Sequence, residues 1–157
     1  MKKILTQLFL ALAFFTSNAQ QINFVEYDLE NGLHVILHQD NSAPVVSATL
    51  QFHVGSKDED DGLKGFAHLF EHMLGKETKN MDSGQWGKIY SARGGSGNAS
   101  TSVDLTNYYV TVPSNSLKLA LWRYSEIMLH PIIEQETIDI QREAVKEEKR
   151  LRYNQPY

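Results

Sequence analysis

Residues 65–74 read GFAHLFEHML, and this stretch constrains the chain more than any other. On an α-helix, which advances about 100° per residue, His68 and His72 stand one turn apart on one face with Glu71 between them in projection. Leu63, Phe66, Ala67, Phe70 and Leu74 recur at core spacing on the opposite side, so the helix is expected to bury an apolar stripe and present a polar one. Neutral imidazoles suit zinc, and a catalytic zinc site carries three protein ligands with a fourth position left to water. A carboxylate beside them would take that water's proton. The competing reading is an ordinary solvated face, polar because it is exposed.

A third ligand is expected on the last helical stretch, residues 135–152. Glu148 follows Ala144 by four and Val145 by three, and precedes Leu151 by three, which sets a carboxylate within an apolar stripe. An unpaired carboxylate in such a place is costly, and a bound cation removes the cost. Glu147 and Glu143 point roughly 100° and 140° away from Glu148 and read as solvated charges beside Lys146, Lys149 or Arg150.

Around these stretches the chain reads as an α+β domain: an antiparallel or mixed sheet with helices packed on one face and metal ligands on two of the helices. Runs 24–29 and 33–38 form a hairpin, because Asn31-Gly32 between them tolerates the positive φ of a tight turn. Its His34 and His38 read as exposed strand residues. Residues 46–54 alternate apolar and polar, the period of a strand with one face in the core, and His53 falls on the polar face. The acidic run 58–61 is expected to be a solvated loop. The pentad helix is expected to start near Gly62 and stop at Gly75. A short helix over 83–92 is expected from a cap at Asp82 or Ser83, and strands over 97–103 and 108–112 flank a turn. A helix capped by Ser114 or Ser116 runs to Leu129, closed by His130-Pro131.

Lys2, Lys3, an apolar run over 4–15 and small residues at Ser17 and Ala19 make residues 1–19 a signal peptide in this reading, leaving 20–157 as the mature part. The apolar run is too short to span a bilayer, and Gln20 and Gln21 follow at once, so no stable membrane anchor is expected. The sequence has no cysteine, hence no disulfide framework and no lipoprotein attachment; the expected location is periplasmic or secreted. The formal net charge is −4, and loss of Lys2 and Lys3 makes it more negative, which excludes a basic nucleic-acid-binding surface as the main feature.

The segment GSKDEDDGLKGFAHLFEHML, residues 55–74, resembles the corresponding stretch of the pitrilysin/insulinase family of inverted zinc metallopeptidases. The resemblance implies Zn2+ as cofactor, His68 and His72 as metal ligands, and Glu71 as the catalytic general base of peptide-bond hydrolysis. QREAVKEEKR, residues 141–150, is similar to the family segment carrying the third ligand, which implies Glu148, with Glu147 as competitor. Many members have a glutamate where Gln141 stands, so a neutral amide replaces an acid behind the ligands. Asn98-Ala99 matches a strand that borders the family's cleft, which implies substrate binding there by strand addition; a plain sheet strand is the alternative.

By this resemblance the chain is a zinc-dependent endopeptidase acting on peptides or unfolded segments. The likeness covers residues 24–157 and matches the first part of a family polypeptide, so the chain is expected to be the amino-terminal portion of an incomplete metallopeptidase domain. A missing C-terminal half or partner subunit is expected to complete the chamber. Two alternatives stand beside it: a non-catalytic binding or scaffolding member of the same fold, and a fragment that binds zinc without turnover.

Overall fold

The computed structural model describes residues 22–153. The proposed signal segment and residues 154–157 lie outside them. The described residues divide into two compact units, 22–43 and 44–153.

The described part of the first unit is a hairpin. Strand β1 (Phe24–Asp28) pairs antiparallel with β2 (His34–His38), Phe24 opposite His38 and Asp28 opposite His34. The hairpin forms where the Asn-Gly pair predicts, but with Gly32 alone at positive φ, 84°, and residues 29–33 outside the ladder; the Leu33 N–H donates to Asn31 Oδ1 at 3.1 Å. His34 Nδ1 sits 2.8 Å from Asp28, and His38 Nδ1 donates to the Asn23 carbonyl at 2.7 Å.

The second unit is built on a three-stranded sheet of β3 (Val45–Phe52), β4 (Ser96–Thr101) and β5 (Thr106–Pro113), in the order β3-β5-β4. Both pairings are antiparallel. The central strand decides where the core lies. Tyr108, Val110 and Val112 of β5 are buried and Tyr109 is exposed, so one face takes the helices. Leu50 on β3 opposes Tyr108, and Ala120, Tyr124 and Ile127 of a helix close the cluster. Burial of each large side chain of this kind contributes about 1.5–3 kcal/mol.

The helices are α1 (Phe66–Lys76), α2 (Gln85–Ser91), α3 (Leu117–Leu129) and α4 (Gln135–Tyr153). Helix α1 packs on β4 and β5, α2 on β4, and α3 on β3 and β5, whereas α4 packs on α1. The hydroxyl of Tyr124 on α3 ties that helix to the sheet, reaching the carbonyls of Ala48 at 2.6 Å and Tyr108 at 3.0 Å. Among the described residues no helix is long and apolar enough to cross a membrane.

Helix α1 and the run before it differ from expectation in four ways. It starts at Phe66, not near Gly62, because Gly62 and Gly65 take φ of 98° and 97°, a left-handed conformation that interrupts helical winding. The acidic run is more than a solvated loop, since Glu59 accepts the N–H groups of Gly65 and Ala67, both at 2.9 Å, and so caps the helix. Gly75 does not stop α1. It lies within the helix against Tyr108, whose ring a Cβ would meet at 3.4 Å. The buried side is also rotated from the expected stripe: Ala67, Glu71 and Met73 are buried, while Leu63, Phe66 and Phe70 are exposed. Helix α2 similarly begins after Gly84, at φ 76°, and not at a side-chain cap from Asp82 or Ser83.

Candidate metal centre

Helix α1 sets His68 and His72 one turn apart, and α4 crosses it to bring Glu148 against them. The two Nε2 atoms are 3.2 Å apart. Glu148 Oε2 lies 3.5 Å from His68 Nε2, and Oε1 lies 3.5 Å from His72 Nε2. One donor atom from each of the three residues lies within 4.8 Å of the others, and all three residues are partly buried. A zinc ion held tetrahedrally at about 2.0–2.1 Å keeps its ligand atoms roughly 3.3 Å from one another; the two imidazoles stand at that spacing and the Glu148 carboxylate lies close to it. The His68 and His72 side chains are 26% and 21% exposed and that of Glu148 is 41% exposed, which leaves a side open for a fourth ligand.

Glu147 and Glu143 turn away from this cluster. Glu147 pairs with Arg150 and Glu143 with Lys146, each at 2.7 Å. Gln141, two turns before Glu148 on the same face, is buried at 5% exposure. Its Oε1 accepts from His72 Nδ1 at 3.2 Å, which fixes the tautomer whose Nε2 lone pair faces His68 and Glu148.

Glu71 faces the sheet. Its residue is 8% exposed, and Oε2 accepts the Thr101 hydroxyl at 2.6 Å. Tyr108 donates to the Glu71 backbone carbonyl at 3.0 Å, and burial, then the nearby Glu71 charge, pushes that phenol well above the usual tyrosine range. A cavity of about 250 Å³ lies beside Glu71 and His72, with Asn98 and Ala99 on its wall. Asn98 is exposed, its Oδ1 accepting the Ala99 N–H at 3.0 Å, and Ala99 packs against the core. Both lie on β4, which has β5 on one side and no strand on the other among the described residues.

Residues 34–155 match the sequence profile described as Insulinase (Peptidase family M16). The chain belongs to the insulinase family of peptidases. Among its relatives, zinc protease PqqE of Helicobacter pylori is 35% identical over 125 residues, covering 79% of this chain and 28% of that protein. Human insulin-degrading enzyme is 34% identical over 122 residues, 77% of this chain and 12% of that enzyme. The fold agrees. The crystal structure of a protease from Helicobacter pylori superposes with a TM-score of 0.82 at 33% identity, over 87% of this chain and 33% of that one. The crystal structure of pitrilysin does so with a TM-score of 0.74 at 28% identity, over 84% of this chain and 14% of that one.

Within this insulinase-family fold, sequence reading had not found Thr101, Tyr108 or Glu59. Thr101 and Tyr108 reach Glu71 only because α1 lies on β4 and β5, a contact with no local period. Glu59 left a usable signal, an acidic residue ahead of a helix start, which the surrounding acidic run obscured.

Proposed function

We propose that this chain carries the metal-binding part of an exported zinc-dependent endopeptidase. The observation that carries the reading is the convergence of His68, His72 and Glu148 donor atoms within 4.8 Å, beside a buried Glu71 held by Thr101. His68, His72 and Glu148 would hold zinc, which when bound supplies Lewis acidity toward a scissile carbonyl and lowers the pKa of water. Glu71 accepts the proton of the attacking water at its carboxylate and delivers it to the leaving amine. Thr101 keeps that carboxylate from turning away, and Gln141 keeps His72 in the ligating tautomer. The free edge of β4 at Asn98 and Ala99 accepts an extended peptide as an added strand. Export rests on residues 1–19, with a periplasmic or secreted location.

The chain spans 28% of the length of PqqE and 12% of human insulin-degrading enzyme. In this reading, a C-terminal half or partner subunit completes the substrate chamber. The same coverage favours a second reading, in which these residues alone bind zinc without turnover.

The test pairs zinc content with cleavage of a fluorogenic peptide. About one zinc per chain is expected, lost in His68→Ala and Glu148→Gln. Glu71→Gln should keep zinc and lose about 10²–10⁴ in rate. A folded protein without zinc, or full cleavage by Glu71→Gln, would sink the assignment. Zinc uptake with cleavage appearing only when the additional polypeptide is supplied would support the completed-chamber form.

A further inference from the structure

The cavity beside the metal cluster has two cations on its wall. Helix α1 contributes Lys76 and α3 contributes Arg123, across from Gly97, Asn98 and Ala99 of β4. Arg123 is fixed in place, its guanidinium carbon 5.2 Å from the Trp86 ring centroid and 5.7 Å from that of Tyr90. Stacking orients a guanidinium and leaves its in-plane N–H groups free to donate. Burial pulls its pKa below the usual range, and the groups that oppose this are the hydroxyls of Tyr90, Tyr124 and Tyr108. Among the described residues no carboxylate pairs with Arg123 or Lys76, and both are half-buried.

Among the described residues, other cations without an acid, such as Lys79, Lys88, Arg93 and Lys118, are exposed to water, and several others meet a carboxylate. Lys57 meets Asp104 at 2.7 Å, Arg142 meets Asp139 at 2.9 Å, and Lys146 and Arg150 each meet a glutamate at 2.7 Å. Two half-buried cations on one cavity, whose carboxylate, Glu71, is held by Thr101 and pairs with neither, leave a place that suits an anion. Glycine at position 97 means that no β4 side chain fills the cavity there. Glu71 shares the wall, so an anion must sit on the Arg123 side.

We propose that Lys76 and Arg123 form a carboxylate subsite that reads an acidic group on a peptide lying along β4. The group is an Asp or Glu side chain near the scissile bond, or the peptide's terminal carboxylate. The inference rests on the peptidase reading for its ligand, because the same cavity holds Glu71 and His72.

The protein is assayed with amidated fluorogenic peptides that differ only by Glu or Gln at single positions flanking the cleaved bond. A second series carries Gln throughout and ends in a free carboxylate or an amide. At one position, or at the terminus, the acidic form should have kcat/KM about tenfold higher or more. Arg123→Met should bring that ratio toward one, and Arg123→Lys should keep part of it. Lys76→Met, at the end of α1, gives the same readout where Arg123→Met fails to fold by circular dichroism. Binding of the same peptides to the Glu71→Gln protein, by calorimetry, separates the two claims. No cleavage of any peptide, with acid-selective binding lost in Arg123→Met, keeps the subsite and sinks the peptidase reading. Cleavage with ratios near one in both series, or ratios untouched by the folded variants, overturns the subsite and keeps the peptidase.

Discussion

Glu71 and Glu148 stand on two helices that pack together, yet their surroundings differ. The sheet holds Glu71 from behind: Thr101 of β4 donates to its carboxylate, and Tyr108 of β5 donates to its backbone carbonyl. Glu148 has the two imidazoles in front of it at 3.5 Å, and its side chain is 41% exposed. A group that moves a proton must keep its position while charge shifts, so rigid support from a sheet suits it. A ligand carboxylate can be drawn in by the cation it binds. In the proposed site, α1 and the sheet hold their half in place, and α4 is the half that a bound metal would draw in.

The strongest challenge to that contrast is Gln141, since α4 also reaches back and holds His72. Replacing it with Leu removes the acceptor at 3.2 Å from His72 Nδ1 and frees the ring to change tautomer. Zinc affinity should fall about 10–100-fold in competition against a chelator. Gln141→Glu should restore or raise it, because an acid makes the imidazole a better donor to the metal. If Gln141→Leu binds zinc as wild type does, α4 contributes only through Glu148 and the contrast between the halves sharpens.

Thr101 tests the other half, with a smaller effect. Thr101→Val keeps the shape and removes the 2.6 Å bond to Glu71, leaving a buried carboxylate oxygen without its donor. Peptide turnover should fall about tenfold with zinc content unchanged, and Thr101→Ser, which keeps the hydroxyl, should recover it. Full turnover in Thr101→Val, with the loss appearing in Thr101→Ser instead, would mean that the methyl group's packing matters and the hydrogen bond does not.

These supports explain what the sequence disclosed and what it withheld. His68, Glu71 and His72 were legible because a helix repeats its faces within a few residues, and the β3 alternation and the Asn31-Gly32 turn carry signals just as local. Glu148 was expected as an acid on an apolar stripe, yet its side chain is 41% exposed and Leu151 is 56% exposed, so the facing imidazoles and not burial mark its place; Gln141 and Glu148 do share a face of α4. The start of α1 was misread because Gly62 and Gly65 look compatible with a helix until their positive φ is seen. The exposure of Phe66 and Phe70 was misread for a different reason. Periodicity marks an apolar stripe but does not say which neighbour arrives: of that stripe Ala67 is buried and Leu74 packs against the core, while Glu71, held by Thr101 of the sheet, and Met73 are buried beside them.

The smallest effect concerns a third carboxylate, Glu126 on α3, which is held from behind as Glu71 is but lies outside the metal cluster. It is 3% exposed, and the Asn80 amide donates to both its oxygens, at 2.9 and 3.1 Å, pinning the loop between α1 and α2. These donations, Asn80 first, hold its pKa below the usual glutamate value against the opposing effect of burial. A carboxylate whose pKa is lower in the folded state adds stability above its unfolded pKa, and loses it as pH falls through the folded value. The wild type should therefore be more stable than Glu126→Gln at neutral pH. That difference should shrink as pH drops below about 4.3, the ordinary glutamate pKa. Thermal midpoints of the two proteins, compared across that range, give the readout. A difference that stays flat would show that support by neutral donors adds nothing through charge, and the same reasoning for Thr101 and Glu71 would have to rest on geometry alone.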